Sequence, residues 1–199
     1  MMKIPKEFDS QGFTLMELVV ATAISMVILG AIAGTFMTQT KFYNAQEQVN
    51  EMQQNARAAM DLMSREIKLA GYKPTGSAVI GVAYSASELR IRADLNGDGA
   101  INDTSDEHVV YTFDGANLQI KRAYGVVGAT PEVLANSIAA FTFGYLNSSG
   151  AATTTPADIR QVSLNITART AKPDPNHSSN NGYRTYGLSN VITPPNLAY

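Results

Sequence analysis

Two stretches of this sequence combine residue types that could do chemistry. The first is Gly12-Phe13-Thr14-Leu15-Met16-Glu17. Glu17 is the single ionisable residue between Phe13 and Met37, in a run otherwise made of Leu, Val, Ile, Ala, Met, Phe, Gly and small hydroxyls. A carboxylate inside an apolar span costs about 2.5–3.5 kcal/mol on insertion scales, so it needs a partner. Cutting the chain after Gly12 would make one. The new amine on Phe13 is cationic and lies within about a turn and a half of helix from Glu17. Between two such chains, the amine of one and the carboxylate of the other would neutralise each other in a dry core and set an axial register. Glycine ahead of the cut suits a protease that needs close backbone access and no side chain.

The second stretch is Asp94-Leu95-Asn96-Gly97-Asp98-Gly99-Ala100-Ile101-Asn102. Oxygen-bearing side chains alternate, glycine sits at the bend and Ile101 stands where an EF-hand-like loop places its apolar anchor. Asp94, Asn96, Asp98 and the carbonyl of Ala100, with Asn102 further on, would supply much of an oxygen cage for calcium. The far end departs from that pattern, because Ser105 stands in the place of the closing acid and Asp106 or Glu107 must substitute. Between Ala93 and Gln119 there are six acids and no Lys or Arg, a costly accumulation for a bare turn. The alternative is an Asn/Gly/Asp-rich hairpin turn between two strands.

These residues need elements to hold them. Residues 1–12 are short and polar with Lys3 and Lys6, and the apolar run 13–37 follows. Twenty-five residues at ~1.5 Å rise cross a ~30 Å hydrocarbon layer. The two leading lysines favour a cytoplasmic N-terminus. A cleaved secretory signal would have a shorter apolar region ending in a small-residue cleavage site, so the reading is a retained anchor. Residues 38–73 continue the helix, with Val49, Met52, Ala56, Met60, Met63 and Ile67 at spacings of three and four. That stripe suits a helix packed on its own head or a coiled-coil seam. No proline interrupts residues 13–70, which would make a rod of roughly 87 Å if unbroken. Gly71 and Pro74 stop it, and Gly30 and Gly34 are weak points where it could bend. Residues 74–199 change to period two. Strands are expected at 89–92, 108–113, 118–121, 141–145, 162–166 and 186–192, with a turn at Asp114-Gly115 and a long loop over 171–182. The fold class is α+β: a long N-terminal helix, membrane-spanning then amphipathic, packed on an antiparallel β-sheet head.

Other chemistry is excluded or unsupported. There are no cysteines, so neither a disulfide framework nor a cysteine metal site exists. From residue 37 onward 13 basic and 14 acidic side chains are evenly mixed, which leaves no basic face for nucleic acid. His108 and His177 have no metal-ligand spacing, and no nucleophile elbow accompanies the serines. The aromatics fall mostly on alternating strand positions, as core residues do. An enzyme is not expected.

Residues 12–17, with the polar leader and the long apolar run, resemble the type III signal of type IV prepilins and type II secretion pseudopilins. The resemblance implies cutting between Gly12 and Phe13 by a prepilin peptidase, N-methylation of Phe13 and a subunit-pairing role for Glu17. Gln53-Gln54-Asn55-Ala56-Arg57, Ser64-Arg65-Glu66-Ile67-Lys68-Leu69-Ala70-Gly71-Tyr72, Ile138-Ala139-Ala140-Phe141-Thr142-Phe143-Gly144-Tyr145, Asp158-Ile159-Arg160-Gln161-Val162 and Thr167-Ala168-Arg169-Thr170 resemble the PilW-type minor pilins. The J-type minor pseudopilin is a cousin. One departure is Pro194-Pro195-Asn196, where that branch often carries an Arg-Asn pair. The resemblance implies a pilin-like fold and a low-abundance subunit priming pilus assembly near the tip. Its partners would be other pilins and minor pilins, the prepilin peptidase and the inner-membrane pilus assembly machinery. It would sit in the inner membrane with the head periplasmic and then pass to the pilus and cell surface. A minor pseudopilin, a major pilin and a tip-displayed adhesion module are the alternatives.

Overall fold

Residues Leu15–Leu69 form one uninterrupted helix, α1. The computed structural model describes residues 12–74, 80–102, 105–125 and 130–197. The leader expected over residues 1–12 therefore lies, apart from Gly12, outside the described residues. The chain divides into two compact units, Met1–Ala45 and Gln46–Tyr199.

In the first unit the helix exposes Leu18, Ile24, Val27, Leu29, Ile32 and Phe36 among its large apolar side chains. An 18-residue window there has a mean hydropathy of 2.3, so the helix is long and apolar enough to cross a membrane. Its serine and threonine hydroxyls are satisfied within the helix. Ser25, Thr35, Thr38 and Thr40 each donate to the carbonyl four residues back, at 2.7–3.0 Å, and Thr22 donates to Val19 at 2.9 Å. Such bonds hide hydroxyls from hydrocarbon. Gly30 and Gly34, the expected weak points, stay helical.

In the second unit the same helix buries Met52, Ala56, Ala59, Met60, Met63 and Ile67. This is the predicted stripe with Ala59 added and Val49 only partly covered. It is packed on its own head rather than left as a seam. The helix stops as expected at Gly71, whose φ of +75° is left-handed, and Tyr72 N–H bonds back to the Leu69 carbonyl at 2.9 Å. Gly81 passes so close that a Cβ there would sit 2.1 Å from the Gly71 nitrogen. Only glycine allows that approach.

The head contains two antiparallel sheets where the sequence suggested one. Strands β1 (Val82–Ala83), β2 (Glu88–Arg92), β3 (His108–Asp114), β4 (Gln119–Tyr124) and β5 (Glu132–Ala135) pair in chain order. Strands β6 (Ile138–Leu146), β7 (Gln161–Arg169) and β8 (Thr185–Ile192) form the second sheet. The break falls at Asn136-Ser137. Ser137 has a φ of +58°, which turns the chain out of the first sheet as β6 begins. The Asp114-Gly115 turn is also wider than a two-residue hairpin loop. Asp114 accepts the N–H groups of Ala116 and Asn117, Leu118 takes a φ of +55°, and β4 starts one residue later than expected.

One core joins the helix to both sheets: Leu89, Ile91, Tyr111 and Ile120 from the first, and Phe141, Val162, Leu164 and Ile166 from the second. β7 alternates buried and open positions along nearly its whole length, as a half-covered strand must. A polar lock crosses the apolar contact. Glu66 of α1 takes the Arg122 guanidinium at 2.5 Å and a hydrogen bond from the Tyr111 hydroxyl. Arg122 also lies 4.0 Å over the Tyr124 ring. Burial first, and then Glu66, push the Tyr111 pKa well up, so this hydroxyl keeps its proton and donates. Tyr145 links the sheets in a similar way, its hydroxyl lying 3.1 Å from the Ser85 carbonyl, and burial pushes its pKa up to about 12.

The two sheets differ in charge. The first carries Glu88, Arg90, Arg92, Asp114, Lys121, Arg122 and Glu132 on its strands, whereas the second carries Arg169 alone among Asp, Glu, Lys and Arg.

Met63 is fully buried between helix and sheets. Met63→Ala is expected to destabilise the head by about 2–5 kcal/mol, through lost burial plus a residual cavity. Thermal melting of the detergent-solubilised protein, followed by tyrosine near-UV circular dichroism, measures it.

Candidate functional site

Gly12 and Phe13 lie just ahead of α1, and Glu17 lies in its first turn. Gly12 is exposed, with nothing within 4 Å of where a Cβ would stand, and Phe13 is 91% exposed. The immediate partner of Glu17 is Thr14, which the sequence reading did not single out. The Thr14 backbone N–H and hydroxyl both donate to Glu17 Oε2 at 2.8 Å. In return the Glu17 N–H donates to Thr14 Oγ1 at 3.3 Å. This is a capping box, with Thr14 as N-cap and Glu17 three residues on, and it satisfies amides that the first turn would leave open. The Thr-x-x-Glu spacing was the available signal. Glu17 therefore has a local partner in the uncut chain, before any Phe13 amine exists.

The Asp94 loop is built from carboxylates turned onto their own backbone. Asp94 is fully buried and accepts Gly97 N–H at 2.7 Å and Gly99 N–H at 3.0 Å. Asn96 Oδ1 accepts Asp98 N–H, and Asp98 Oδ1 accepts Ala100 N–H, both at 2.8 Å. Asp94 is turned into the head, whereas Asn96 and Asp98 are exposed and each accepts the amide two residues on. Of the two acids offered for the far end, Asp106 is exposed and Glu107 is buried. Glu107 is 2% exposed. Its Oε1 accepts Leu95 and Asn96 N–H at 3.2 and 3.1 Å, and its Oε2 accepts Asn102 N–H at 2.9 Å. Position decides between the two acids. Glu107 immediately precedes β3, whose first residues are buried, so its side chain enters the head while Asp106 stays outside. Among the described residues, no three His, Asp or Glu side chains are gathered so as to hold a metal ion by themselves. A cation here would also need Asn96 and backbone carbonyls such as that of Ala100.

Both sites thus belong to a chain with an exposed apolar helix, a self-capped helix start and a β-rich head. Comparison with known proteins gives that class its family. Residues 45–185 match the family model described as prepilin peptidase-dependent protein B. Residues 8–33 match the prokaryotic N-terminal methylation motif. The first match spans well over half of the chain, which belongs to that family and is a type IV prepilin-like protein. Among solved structures it is similar to a type IV-like pilin from Thermus thermophilus, with 15% identity over 73% of this chain and 97% of that one and a TM-score of 0.46. No curated protein matches the sequence.

Removing the Glu107 carboxylate strips the acceptor from three loop amides. Glu107→Ala is expected to cost about 3 kcal/mol of head stability, within the range for buried amides left unpaired. The same near-UV melting measures it, and the loss should appear in chelator as well as in calcium.

Proposed function

We propose that this protein is a minor pilin of a type IV pilus that primes assembly near the tip. The observation that carries the reading is a coincidence of positions. The methylation-motif match over residues 8–33 overlaps the start of the exposed apolar helix, and the family match over residues 45–185 covers the later part of the helix and most of the head. In this reading residues 1–12 are a cytoplasmic leader and 13–37 the inner-membrane and fibre-core segment. Residues 38–73 are the amphipathic continuation, and 74–199 form the periplasmic head. The prepilin peptidase cuts between Gly12 and Phe13 and the new N-terminus is methylated. The Phe13 amine then competes with Thr14 for Glu17, first in its own chain and finally between neighbouring subunits. The resemblance of the helix and head segments to PilW-type proteins supports a minor rather than a shaft-building subunit. The protein is the substrate of an enzyme in this scheme, with other pilins and the inner-membrane assembly machinery as partners.

Processing gives the direct test. The mature chain should have 187 residues, the full 199 less the leader of 12, and begin with N-methylated Phe13. Intact mass of membrane-extracted protein decides it, and a chain retaining its leader beside an active peptidase would sink the proposal. Gly12→Val should block the cut. Glu17→Val should leave anchoring intact and lower recovery in sheared pili.

We also propose calcium at the Asp94 loop, supported by the ordered alternation of Asp94, Asn96 and Asp98 oxygens. Their bonds to amides leave lone pairs for an ion. With calcium at a hundredfold excess over its dissociation constant the head should gain about 2.7 kcal/mol relative to chelator. That corresponds to roughly 5–10 °C. Asp98→Ala should erase the gain. Identical wild-type melts with and without calcium would leave the loop a self-capped turn.

A further inference from the structure

A surface cavity of about 400 Å³ lies between the Val49–Gln53 turn of α1 and the chain leading into β8. Its floor is apolar, made by Val49 and buried Met52. Its walls are polar. Gln53, Ser179, Asn180 and Thr185 all line it, and their side chains make no hydrogen bond to any other described residue. Gln53 is half-buried, Ser179, Asn180 and Thr185 are exposed, and the half-buried His177 completes the polar lining.

The cavity also holds one guanidinium, set in place from behind. Arg184 uses Nε and Nη2 on the same oxygen of Asp174, at 3.3 and 2.9 Å, which leaves Nη1 outside that pairing. Asp174 is itself fixed. Its carboxylate accepts Asn176 N–H at 2.9 Å, and its own N–H donates to the Gly182 carbonyl at 2.8 Å. The Asn176 amide, and then Arg184, hold the Asp174 pKa below the usual carboxylate range, so it stays ionised as an anchor. The loop between them is bent tightly. Asn180 and Asn181 are both left-handed, with φ of 51° and 54°, and Gly182 at +87° has no room for a Cβ beside Pro173. No carboxylate lines the cavity itself.

We propose that this cavity binds a sugar acid, a hexuronic acid unit being the size and chemistry that fit. The guanidinium matches a carboxylate in charge and planar geometry. The amides and hydroxyls match ring hydroxyl groups, and the Val49–Met52 floor matches the C–H face of a pyranose. The volume lies within the usual range for small-ligand sites. All of these residues lie within the unit Gln46–Tyr199, which includes neither the leader nor Glu17. The inference goes beyond the pilin proposal, and the two fail separately, because leader removal does not depend on sugar binding.

The test is titration calorimetry of the full chain in detergent with galacturonate, galactose and acetate. Galacturonate is expected to bind at least tenfold more tightly than either of the others. Arg184→Gln should lose that preference, and Arg184→Lys should recover only part of it. Because Arg184 also holds the loop through Asp174, Gln53→Ala provides a variant outside that pair. It should weaken galacturonate several-fold with the melting temperature unchanged. Galactose binding as well as galacturonate would overturn the carboxylate assignment, and acetate binding as well would overturn the sugar. No binding of galacturonate at millimolar concentration would overturn the proposal entirely.

Discussion

Burial of the Met52–Ile67 stripe is the contact on which the head depends. Each sheet by itself has one apolar face, and a three-stranded sheet closes nothing alone. The methionines at 52, 60 and 63 and the alanines at 56 and 59 let both sheets reach the same helix. Methionine fills irregular gaps and alanine permits close approach. Around this contact the polar groups are arranged as locks rather than as the source of cohesion. Glu66 meets Arg122 and Tyr111 only because the stripe has already set α1 against β3 and β4. In the absence of cysteine, packing and these few locks carry the stability of the head.

The loops are held in a second way, by short acidic or amide side chains that accept their own backbone N–H groups. Asp94, Asp114, Asn147 and Asp174 all do this. Their spacing varies, so each loop takes its own shape, but the device is the same. It also eases the crowding of four of the six acids between Ala93 and Gln119, a segment without Lys or Arg. Much of the negative charge at Asp94, Asp98, Glu107 and Asp114 is directed at amide hydrogens.

What could be read from the sequence was whatever repeats. The helix stripe, the helix stop at Gly71 and most of the strands follow from period and punctuation, because burial on one face imposes that period. The short β1 and β5 were missed, since two or four residues do not establish an alternation. The split into two sheets was also hidden. It turns on Ser137 adopting a left-handed conformation, and serine gives no sign of that as glycine would. At the candidate sites, Glu17 draws attention, with Gly12 and Phe13 ahead of it, because a lone carboxylate in an apolar run stands out. Thr14 was passed over because a threonine beside such a run looks like one more small hydroxyl, although its spacing to Glu17 is that of a capping box. Choosing Glu107 over Asp106 required knowing where β3 begins, and a one-residue shift reverses which side chain enters the head.

The uneven distribution of charge between the sheets has a consequence for how the head meets its surroundings. Contacts made through β1–β5 involve side chains of both signs, and dissolved ions weaken these over a distance of about 8 Å at physiological ionic strength. Contacts made through β6–β8 involve mostly hydroxyls, amides and apolar groups, with Arg169 the one Asp, Glu, Lys or Arg on these strands, so salt screens them far less. Moving the protein from fresh to saline water therefore changes what the β1–β5 strands can hold more than what the β6–β8 strands can.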